Sequence, residues 1–74
     1  KNVDFSRYDE LKIKIKEGIS YDEFISYIGG VDGVMIEKSS ITTKYIWVSS
    51  TGDYLRGSFS NNSRNCTFIY GRIS

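Results

Sequence analysis

Few residues in this 74-residue chain are suited to acid–base or covalent chemistry. There is no His, so the commonest proton carrier at neutral pH and the commonest metal ligand are both missing. Cys66 is the sole cysteine. It has no His to take its proton and reads as a small strand residue packed in or near the core. The acids Asp4, Asp9, Glu10, Glu17, Asp22 and Glu23 gather at helix starts and on outward helix faces, where the helix dipole and water account for them. Gly29-Gly30-Val31-Asp32-Gly33 is glycine-rich, but it follows a helix and precedes a strand. A phosphate cradle needs the reverse order, strand, loop, then helix N-terminus. Lys12, Lys14 and Lys16 read as a solvated basic face. No catalysis, no metal and no cofactor is expected.

The residues suited to recognition are aromatic and basic. Tyr45, Trp47, Tyr54 and Arg56 lie close together in sequence, and Trp, Tyr and Arg are the side chains that most often anchor protein interfaces. Whether they act together depends on the elements that carry them.

Those elements begin with helices. Ser6 to Glu17 reads as the first, with Ser6 as N-cap, acids in the first turn and lysines towards the end. Tyr8, Leu11 and Ile15 share one face, and Ile13 lies off it. Gly18 supplies a left-handed stop. Ser20 and Glu23 form a capping box that starts a second helix, Ser20 to Ile28, ended by Gly29-Gly30. Phe24, Ile25 and Ile28 form its apolar stripe, with Tyr21 beside them. From Gly33 onward the period becomes that of strands: Val34 to Ser39, Thr42 to Ser49, Tyr54 to Ser60 and Cys66 to Ile73, separated by short polar turns. Short connections imply an antiparallel meander. The fold class is α+β, two short N-terminal helices on one face of a four-stranded sheet, in a single domain spanning 1–74.

Leu55, Gly57 and Phe59 form the core set of the third strand, which leaves Tyr54 and Arg56 on the open face. The second strand is undecided. With a four-residue loop, Ser50 to Asp53, Ile46 and Val48 face the core, and Tyr45 and Trp47 join Tyr54 and Arg56. With a five-residue loop, Val48 pairs with Tyr54 and Trp47 goes inside. A shift of one residue exchanges the two faces.

Net charge is +1 with 26% charged residues, without the basic excess of a dedicated nucleic-acid binder. No apolar run is long enough to span a bilayer. The chain opens at Lys1-Asn2-Val3, which reads as a mature or trimmed fragment, and any export signal or lipidated Cys would lie upstream. It has no Ala, Pro, His or Gln and is rich in Ile, Lys, Asn, Ser and Tyr. This bias suggests an AT-rich genome such as that of a low-GC Gram-positive bacterium.

The helix corner carried by Ile15, Gly18, Ile19, Ser20, Glu23, Phe24, Ile28 and Gly29, followed by Tyr45, Trp47, Gly52 and Phe59, resembles the β-lactamase inhibitor protein-like superfamily. The likeness runs from about Leu11 to Asn62. A related, shorter arrangement occurs in the small lipoprotein of the outer-membrane barrel-assembly machinery. The inhibitor itself has two such units in tandem and carries disulfides; this chain has one unit and one Cys. The resemblance implies the fold, an extracellular or cell-surface location, and recognition through aromatics on the open sheet face. It implies β-lactamase inhibition less. The expected function is therefore a non-catalytic protein-interaction module of a secreted or lipid-anchored bacterial protein. Its partner would be another protein or a second copy of the chain. The alternatives are nucleic-acid or glycan binding on the same aromatic face, or a purely structural domain.

Overall fold

The computed structural model describes residues 2–74. Its elements are α1 (Tyr8–Glu17), α2 (Tyr21–Ser26), β1 (Val34–Lys38), β2 (Thr42–Val48), β3 (Tyr54–Ser60) and β4 (Cys66–Arg72). The four strands form one antiparallel sheet in the order β1-β2-β3-β4. Two helices followed by a meander is the α+β arrangement expected from the sequence.

The helix corner forms at the expected residues with one half of the capping box, no bond from Ser20 N–H to the Glu23 carboxylate occurring among the described residues. Gly18 takes φ 90° and its N–H donates to Ile15 O, closing α1. Ser20 Oγ accepts from Glu23 N–H at 3.2 Å and caps α2. Beyond Tyr27, Gly29 and Gly30 turn left-handed, and Gly30 N–H returns to Ile25 O. The start of α1 differs from expectation. Arg7, not Ser6, occupies the cap position and supplies no side-chain bond. Asp4 is the reason: its Oδ1 accepts from Ser6 N–H at 2.9 Å, which folds the preceding residues into a turn of their own.

The core lies between the helices and the sheet. Leu11 comes from α1, Tyr21 and Phe24 from α2, and Ile19 and Ile28 from the helix ends. Trp47, Leu55, Phe59 and Cys66 rise from the sheet to meet them. Aromatic rings do much of the filling: Phe24 sits 5.0 Å from both Trp47 and Phe59. Such pairs add roughly 0.5–1.5 kcal/mol each beyond the area they bury. Ile13 is exposed, as its place off the stripe requires.

Candidate interaction surface

The loop between β2 and β3 decides which residues face outward. Val48 pairs with Tyr54, leaving the five residues Ser49 to Asp53 as the loop. Ser49 N–H donates to Asp53 O at 2.9 Å, and Gly52 takes φ 88° at the tip. Trp47 therefore pairs with Leu55 and Tyr45 with Gly57, both on the helix side.

This corrects half of the expected recognition group. Trp47 is 2% exposed, and its Nε1 donates to Val31 O at 2.7 Å. It is the largest fully buried side chain, and it lies over Gly33, where an added Cβ would meet the indole at 2.8 Å. Tyr45 is half-buried against Tyr21, ring centroids 5.0 Å apart. Neither residue shares a face with Tyr54 and Arg56. The physical reason is register parity: the five-residue loop turns odd-numbered β2 residues towards the helices.

Tyr54 and Arg56 do lie on the open face. Across the sheet, Val34, Ile46, Arg56 and Tyr70 form one continuous row, and Val48, Tyr54 and Arg72 form a second. Lys44, Ser58 and Phe68 form a third. Val34, Val48, Phe68 and Tyr70 are each more than half exposed. The Tyr54 and Tyr70 rings lie 6.1 Å apart on the diagonal between rows. Lys44, Arg56, Ser58, Phe68 and Tyr70 enclose a shallow cup of about 210 Å³.

Phe68 and Tyr70 are the residues that sequence reasoning missed. Two-residue alternation from the buried Cys66 would put both inside. A bulge intervenes: Phe59 pairs with Cys66 but Ser58 pairs with Phe68, so Thr67 is the extra residue. The rest of β4 is thereby inverted. A similar irregularity at Ile36 interrupts β1, so that Val34 and Glu37 both reach the open face.

The electrostatics of this face are simple. Glu37 pairs with Lys44 at 3.4 Å. Arg56 and Arg72 take part in no ion pair among the described residues. On the other side, burial pushes the Cys66 thiol up to about 11, so it stays protonated at neutral pH and is a poor nucleophile. Burial also raises Tyr21, whose hydroxyl donates to Asp32 Oδ1 at 3.0 Å and accepts from Gly33 N–H at 3.1 Å. No group of three potential metal ligands occurs among the described residues. Among the described residues, no helix is long and apolar enough to cross a membrane. What the face offers is an apolar and aromatic surface with arginines set into it.

No protein-family model, no curated protein and no solved structure matches the chain.

Proposed function

We propose that this chain is a non-catalytic protein-interaction module that binds its partner through the open face of the sheet. The observation that carries the reading is the concentration of large apolar side chains there. Val34, Val48, Phe68 and Tyr70 stand exposed around Arg56 and Tyr54. Scattered surface apolar residues need no explanation, but a contiguous group with a polar border marks an interaction site. The contact residues are Tyr54, Arg56, Phe68 and Tyr70, with Tyr45 and Trp47 supporting the sheet from behind. The resemblance to the β-lactamase inhibitor-like superfamily points the same way, and to a secreted or lipid-anchored bacterial protein.

Phe68→Ser combined with Tyr70→Ser tests the reading. Partner capture from the surface and secreted fractions of the source bacterium should be lost, while the melting temperature stays close to that of the parent. Undiminished capture by the double variant would contradict it.

The Tyr54–Tyr70 pair beside Arg56 and Arg72 favours a second reading, in which bases or sugars stack on the same face. Binding to single-stranded oligonucleotides would then fall steeply with salt; a flat titration at low salt removes that reading for nucleic acids.

A further inference from the structure

A second concavity opens on the opposite side of the sheet. Tyr21, Met35, Lys38, Thr43, Tyr45 and Phe59 line it, and the turn that follows β3 closes one wall with Ser60, Asn61 and Arg64. Tyr21 is the helix residue among those that line it. Three aromatic rings form the floor: Tyr21 lies 5.0 Å from Tyr45 and 5.1 Å from Phe59, and Tyr45 lies 5.8 Å from Phe59. The volume is about 290 Å³, at the small end for ligand pockets, enough for one ring and its substituent.

The charge around this floor is one-sided. Lys38 and Arg64 line the pocket and no acid does. Neither cation makes an ion pair among the described residues. Arg64 stacks on the face of Tyr21, its Cζ 4.9 Å from the ring centroid. A guanidinium over an aromatic face makes no use of its N–H donors in that contact, which leaves them free for an anion. The polar wall is already occupied: Thr43 Oγ1 donates to Asn61 Oδ1, and Asn61 Nδ2 donates to Ser39 O at 2.8 Å.

The backbone of Arg64 adds an independent observation. It is the one non-glycine residue with positive φ among the described residues, at 61°. Gly would adopt that conformation without strain, and Asn tolerates it better than Arg does. Asn61, Asn62 and Asn65 stand in the same turn, yet the left-handed position holds Arg. Its main-chain bonds, N–H to Ser60 O and O from Tyr21 N–H, do not need the side chain.

We propose that this pocket binds a small aromatic anion, a planar ring bearing a carboxylate or phosphate, with the ring on the Tyr45 and Phe59 side and the charge met by Arg64 and Lys38. The site is separated from the docking face by the thickness of the sheet and does not depend on it.

Amide chemical shifts of the folded protein, titrated with benzoate, phenyl phosphate, benzamide and acetate, test the proposal. Benzoate or phenyl phosphate should give saturable shifts at Thr43, Tyr45, Ser60 and Asn61, and the stronger of the two identifies the preferred anion. Neutral benzamide and ringless acetate should bind about tenfold more weakly, the loss of one charge-assisted contact or of the ring's burial. Arg64→Gly suits the left-handed backbone, so its melting temperature should not fall, yet anion binding should drop by a similar factor. Arg64→Lys should restore part of it. Benzamide binding as well as benzoate, shifts confined to other residues, no saturable shift with either anion, or unchanged binding in Arg64→Gly would each overturn the proposal.

Discussion

Trp47 fills the centre of the molecule, against Phe24 and under the Val31 carbonyl. Trp47→Ala would empty that volume in a domain with little core to spare. The loss should be about 3–5 kcal/mol, a large share of the stability of a chain this size. Urea denaturation should show the variant largely unfolded or close to it. Tyr54→Ala, on the open face, should cost far less. Cys66 makes a different prediction. Burial raises its thiol from the ordinary 9.0 to about 11 in the folded chain. The unfolded chain therefore loses this proton first as pH rises. The associated stability is fully present below about pH 9 and is lost as pH climbs through about 11. Tyr21, also raised by burial, acts in the same direction. Melting temperature should fall across that alkaline window, and Cys66→Ala should fall less steeply over the same range.

At the scale of elements, close approach and parity govern the design. Gly33 enters β1 under the indole of Trp47, and an added Cβ would lie 2.8 Å from both Trp47 Cε2 and Tyr45 Cβ. Gly33→Ala should therefore destabilise by about 1–3 kcal/mol through overpacking, measured as a lower urea midpoint with an unchanged slope. The helices and all four strands were legible from caps and alternation, because Gly18, Ser20 and the β-branched runs act locally. The faces of the sheet were not. Whether Tyr45 and Trp47 look in or out depends on whether Ser49 belongs to the strand or to the loop, and local propensity at Ser49 is indifferent. Phe68 and Tyr70 were hidden by the bulge at Thr67, which leaves no mark in composition. The open-face placement of Tyr54 and Arg56 is legible because Leu55, Gly57 and Phe59 fix the parity of β3 without help from any turn.

The whole molecule is a two-layer domain, and concave regions lie on both faces of its sheet. Helices cover one face of the sheet except at the end where Arg64 stands over the Tyr21 ring and Lys38 lines the same pocket. The other face is uncovered and carries the exposed apolar rows. A chain of 74 residues needs most of its aromatics for its core. Phe68 and Tyr70 on the outside are therefore informative, since neither belongs to the core that holds the two layers together.

Site-specific photo-crosslinking tests the proposed docking role of the open face. A benzophenone amino acid would replace Tyr70 on the open face, or Ile13 on the exposed side of α1, in separate preparations incubated with a lysate of the source organism. A discrete adduct is expected from position 70 and none from position 13. An adduct from position 13 alone, or equal adducts from both, would contradict it.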